Sequence, residues 1–157
     1  MNIAIPINMF NINNVFYQEA IKNTIMTDSN FIRIIYSNDL CMLNGICLEF
    51  TLPIIYIDKS FNKFKCTFEK QLSGVTIQAI CKAEYDILTK YNASMGKTPI
   101  YRINDQLKNG VIKVVSINNT GNIITPYKTF TIKISGIWSN ETEYGLTYKF
   151  SHCGLSL

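Results

Sequence analysis

A single histidine, a single tryptophan and four prolines are spread over 157 residues, and only 17% of the side chains carry charge. Soluble domains ordinarily carry about 25%, so much of this surface must be finished with uncharged polar groups, chiefly asparagine. The lone histidine, His152, stands beside Cys153 near the C-terminus. Neighbouring residues on an extended chain point apart, so the two do not make a nucleophile–base dyad. Carboxylates are few and scattered. Asp28, Asp39 and Asp58 fall near strand ends or turns, where aspartate ordinarily shapes the turn, and Glu141 and Glu143 lie in or beside a hairpin loop. No spacing among them predicts a magnesium pair. The five cysteines, Cys41, Cys47, Cys66, Cys81 and Cys153, are odd in number and contain no C-x-x-C pair. They are expected to be free thiols behaving as small apolar residues. A non-enzymatic protein with no cofactor and no metal site is the expectation.

Long apolar runs are also missing. No segment approaches the roughly 18 residues a membrane span requires, and the opening "MNIAIPINMFNINN" lacks the basic start and apolar centre of a signal peptide. No membrane contact and a cytoplasmic location are therefore expected. The three Asn-x-Ser/Thr triplets at Asn92, Asn118 and Asn140 are what an asparagine-rich chain produces by chance. Gly96-Lys97-Thr98 ends like a phosphate-binding loop, but the first glycine of that motif would fall at Tyr91 and the preceding segment reads as helix. Pro99 is also badly placed for a following helix, so a nucleotide site is rejected.

What the chain does have is apolar mass. At 47% apolar residues it can bury a core without disulfides or metal, and its length suits one domain, 1–157. The net charge of +4 favours a polyanionic partner only mildly. Of the fifteen positive side chains only Arg33 and Arg102 are arginine, and no basic tail occurs. Phosphate contact would have to come from a folded surface.

Short apolar runs separated by Asn, Asp, Ser and Gly, about seven in all, read as strands and turns. Strands are expected over Phe31–Ser37 and over Cys41–Phe50, with a bend at Gly45 and an end or an edge at Pro53. A hairpin then joins Ile54–Asp58 to Phe61–Phe68, in which Phe64, Cys66 and Phe68 share a buried face and Lys63, Lys65 and Thr67 a solvated one. Between Val75 and Tyr91 the period changes: Ile77, Ile80, Cys81, Ile87, Leu88 and Tyr91 form one apolar face of an amphipathic helix that starts at Ser73-Gly74. After a linking stretch through Tyr101 and Arg102, strands resume at Val111–Ile117, with a turn at 118–122. In the last third, Phe130, Ile132 and Ile134 alternate with Thr129, Thr131 and Lys133, and Gly136 permits a kink before Trp138. A polar loop at Ser139–Glu143 leads to a closing strand that presents Tyr144, Leu146, Tyr148 and Phe150 on one face.

The fold class read from this order is mainly β with one central helix. Strands, one helix and strands again is the order of the oligonucleotide-binding Greek-key barrel, here with additional strands. Its parts would be an N-terminal extension over 1–28, an OB-like core over 29–150 and a short tail over 151–157.

The segment "FTIKISGIWSNETEYGLTYKF" resembles the closing hairpin of small viral single-stranded DNA-binding proteins: a strand ending in an aromatic, a polar loop and a Gly-led last strand. "NFIRIIYS" followed by "LNGICLEF" is similar to segments of large nucleocytoplasmic DNA virus proteins. The resemblance covers about a quarter of the chain and implies an OB-like fold, single-stranded DNA binding in viral replication, and a place in the host cytoplasm or at a viral replication site. The chain departs from many such proteins in ending "SHCGLSL" instead of in an acidic tail.

Single-stranded nucleic acid is held by rings that stack on bases and by cations that follow phosphates. The residues that offer both are Arg33, Phe61, Lys63, Lys65, Tyr127, Lys133, Trp138 and Lys149, with Tyr36, Tyr101 and Arg102 as extensions. Single-stranded DNA or RNA, DNA foremost, is the expected partner. The bland alternative is that the lysines only solvate a sheet face and the rings are core or rim. A second function reading is a viral structural or interaction subunit that uses strand edges and spare aromatics for protein contacts without binding nucleic acid. A homo-oligomer is compatible with either.

Overall fold

The computed structural model describes residues 3–91, 96–115 and 127–153. The N-terminal strands are β1 (Ile5–Pro6), β2 (Val15–Tyr17), β3 (Ile21–Lys22), β4 (Asn30–Ser37) and β5 (Met42–Asn44). The long β6 (Ile46–Ser60) and β7 (Lys63–Phe68) follow, then helix α1 (Gly74–Tyr91), β8 (Thr98–Ile100), helix α2 (Arg102–Lys108) and β9 (Val111–Val114). A last hairpin of β10 (Tyr127–Ser139) and β11 (Glu143–His152) completes the order. The expected turn at 118–122 lies outside the described residues.

Alternation makes β10 the organising strand. Phe130, Ile132 and Ile134 are buried to 1% exposure or less, while Thr129, Thr131 and Lys133 between them stay partly open. Along Tyr127–Ile134 it pairs with β6, and along Gly136–Ser139 with β4, with β11 on its other side from Phe130 onward. A bulge between Ile134 and Gly136 makes the change of partner. Only glycine fits there: a Cβ on Gly136 would stand 2.3 Å from the Ile32 carbonyl oxygen and 2.6 Å from the Phe31 ring.

The long β6 is divided in the same way. Its first half pairs with β10 and, in parallel, with β1; its second half, beyond a bulge at Ile54–Tyr56, pairs with β7. The expected break at Pro53 does not occur. Pro53 is the last residue opposite β10 and precedes the bulge, so its missing N–H falls where one ladder gives way to the next.

The sheet runs β2-β4-β10-β6-β7-β9, with β11 beside β10. β9 and β11 approach each other, but no ladder joins them among the described residues. The expected mainly β class holds, as a single large, mostly antiparallel sheet that does not close into a barrel among the described residues. The 1–28 extension is corrected, since β1 pairs with β6 and both β2 and β3 pair with β4. Apolar residues of this segment, Val15 foremost, have somewhere to be buried, and Lys90 Nζ donates to the carbonyls of Ile12 (3.0 Å) and Val15 (2.7 Å).

Helix α1 covers the concave side of the sheet with Ile80, Ala83, Ile87 and Leu88 buried and Ile77, Cys81 and Tyr91 packed against them, the expected face. Helix α2 stands where a linker was expected, and inserts Ile103 and Leu107 into the same cluster. Strand β9 ends at Val114, short of the expected Ile117, which lies outside the described residues.

Candidate nucleic-acid interface

The outward face of the β6–β7–β9 ladder is set by its register. Asp58 lies opposite Lys65, which lies opposite Lys113; Tyr56 lies opposite Thr67, and Ser60 opposite Lys63. Cys66, Ile112 and Phe68 are buried on the other side. Lys63, Lys65 and Lys113 thus share one exposed face with Asp58, the only carboxylate within these ladders among the described residues. Tyr56 adds a ring 62% exposed, and Phe61, at the tip of the hairpin, one 95% exposed. Phe61 was expected on the strand beside Lys63. It sits instead in the loop, with φ +54°, which frees its ring from the alternation that would have fixed its face.

A second group of candidates meets at the β10 bulge. Lys133 and Lys149 are cross-strand neighbours, and Arg33 is paired with Gly136 just past the bulge. Arg33 Nη1 donates to Asn44 Oδ1 at 3.0 Å. Lys133 faces Cys47 near the start of β6, whereas Lys65 faces Asp58 near its end. At about 3.3 Å per residue the two positions are roughly 36 Å apart along the strand, so the candidate cations form two clusters instead of one. Tyr127, 52% exposed, lies between them opposite Pro53.

Trp138 has to be withdrawn from the surface. It is 3% exposed, with the Arg102 guanidinium 4.7 Å from its ring centroid and Gly145 so close that a Cβ there would be 2.9 Å from Cζ2. A ring covered on its face and edge cannot stack on a base. Its Nε1 is buried with no hydrogen-bond acceptor among the described residues. The Gly96-Lys97-Thr98 segment leads into β8, and Lys97 Nζ donates to Ser139 Oγ at 2.9 Å, tying β8 to the last hairpin.

The titratable groups near the C-terminus are not tuned for attack. Burial, then Lys128, lowers the His152 pKa, and burial raises that of the Cys153 thiol. Cys66, fully buried, is pushed up to about 11 by burial. Among the described residues no group of three His, Cys, Asp or Glu side chains could hold a metal ion, and no helix is long and apolar enough to cross a membrane.

Lys113 and Tyr56 were missed in the sequence, although "VIKVV" carries the same alternation that exposed Lys63 and Lys65. Comparison of the chain with family models, with curated proteins and with solved structures finds no match in any of the three.

Proposed function

We propose that this protein is a non-enzymatic binder of single-stranded nucleic acid, DNA foremost, and that it holds the strand on the outward face of β6, β7 and β9. The observation that carries the reading is the meeting of Lys63, Lys65 and Lys113 with the exposed rings of Tyr56 and Phe61, opposed within the ladders by Asp58 alone among the described residues. Ammonium groups would follow the phosphates while the rings receive bases, a combination that is tolerant of sequence.

Strand order supports the same reading. The spatial order β10-β6-β7-β9, with β10 returning beside β6, is that of a Greek key in which α1, β8 and α2 are inserted between β7 and β9. The place of β11 beside β10 and its approach to β9 support reading the five strands as an opened relative of the OB-like barrel, in which the face of the second and third strands receives oligonucleotides. Those strands here are β7 and β9. Helix α1 falls between them instead of after the third, a departure from the expected order. The likeness of the β10–β11 hairpin to that of small viral single-stranded DNA-binding proteins adds to the case.

The test is anisotropy of a labelled oligonucleotide, because buried Trp138 is a poor reporter. Affinity should fall with salt by a log–log slope of about −0.7 for each phosphate contacted. Reversing Lys65 and Lys113 together to glutamate should weaken binding at least about tenfold with no change in thermal midpoint. Absence of binding at low salt to every sequence and length ends this reading; a defined oligomer in light scattering would then favour the interaction subunit.

A further inference from the structure

A recess of about 190 Å³ opens beside the β10 bulge, lined by Asn44, Gly45, Cys47 and Lys133 among others. Lys149 flanks it across the β10–β11 ladder, and Arg33 is drawn toward it by its bond to Asn44. Among the described residues the one carboxylate on the adjoining outward positions of β6 and β10 is Glu49, which faces Thr131 one outward position along from Lys133. The Cys47 thiol, its pKa raised by burial, stays neutral and does not repel an anion. Between the recess and the hairpin face the outward positions of β6 and β10 hold Thr131, the Thr51–Thr129 hydroxyl pair at 3.4 Å, and the ring of Tyr127. This stretch is polar, narrow in side-chain size and free of any carboxylate but Glu49.

We propose that the recess at the β10 bulge is a phosphate-binding site, the second anchor for a single strand that runs along β6 from the hairpin face. The proposal rests on the reading of that face given above. Two anchors on one ligand turn the second contact into an intramolecular one, so affinity must rise sharply once the strand is long enough to reach both.

The experiment compares oligonucleotides of about four and about sixteen nucleotides, the span of site sizes known for such folds, on the wild type and on Lys133→Ala/Lys149→Ala. The short strand, held by the hairpin face, should bind both proteins alike. The long strand should lose about tenfold or more on the variant, and its salt slope should become shallower by about 1.4, the share of two phosphate contacts. Equal losses at both lengths, or no loss at either, would overturn the second anchor while leaving the hairpin reading intact, provided the wild type binds and Lys65→Glu/Lys113→Glu does not. A wild type that binds neither strand at low salt removes the function itself. Should the double variant fail to fold, exposed Lys149→Ala alone gives the same comparison with half the change in slope.

Discussion

Phe61 occupies the first position of a two-residue hairpin loop with φ positive, where glycine is the residue the backbone favours. A phenylalanine there costs the left-handed penalty, about 1–2 kcal/mol, and recovers nothing by burial because its ring is almost wholly in solvent. Strain kept without a packing return points to use of the ring. Phe61→Gly should therefore raise stability by about 0.5–1 kcal/mol in urea unfolding and weaken oligonucleotide binding about tenfold, the loss of one stacked base. Glu84 is the opposite case, a charge sacrificed to structure. It is 1% exposed on α1, and its carboxylate accepts the backbone N–H groups of Ile103 (3.0 Å) and Asn104 (2.8 Å) at the start of α2. Glu84→Ala leaves both donors unsatisfied and should cost about 2–4 kcal/mol by denaturant unfolding. Burial raises its pKa above the usual 4.5. The proton-linked part of its contribution is thus fully present below 4.5 and is lost as pH rises through the folded value, while the two hydrogen bonds to the start of α2 persist. The denaturation midpoint of wild type relative to Glu84→Gln should accordingly improve as pH falls from neutrality toward 4.5.

At the level of elements, the sequence was most readable where local pattern and tertiary demand coincide. The period of α1 and the alternation of β7, β10 and β11 are each written in their own residues. Helix α2 was not readable, because its first turn has no side-chain cap of its own: Tyr101 supplies none, and the acceptor arrives from Glu84 on another helix. β6 was read as two pieces because a proline ordinarily interrupts a ladder, and nothing local reveals that Pro53 lies at an exchange of partners. The bulge of β10 was anticipated as a kink at Gly136, but its consequence for Trp138 depends on Arg102 of α2. The same bulge gives a sharp test. Gly136→Ala places a methyl against the Ile32 carbonyl and the Phe31 ring and should destabilise by about 1–3 kcal/mol or more, seen as a lowered thermal midpoint.

For the whole molecule, the residue types of the binding face were legible and their grouping was not. Lys63 and Lys65 betray an exposed face by alternation, yet that Lys113 joins them while Lys133 and Lys149 stand far along β6 is decided by strand order, which no short window contains. The shared core explains the remaining miss, the N-terminal segment, whose brief strands gain stability only from β4, β6 and Lys90. The position of β10 in the chain has a further consequence. The strand that both β4 and β6 need as a neighbour begins only at Tyr127, so a growing chain on the ribosome carries two apolar, unpaired edges until that strand has emerged. Chains cut short before residue 127 should stay unfolded and clump or be degraded, and folding should be slowed by the pairings of β10 with β4 and β6, which join segments far apart in the sequence.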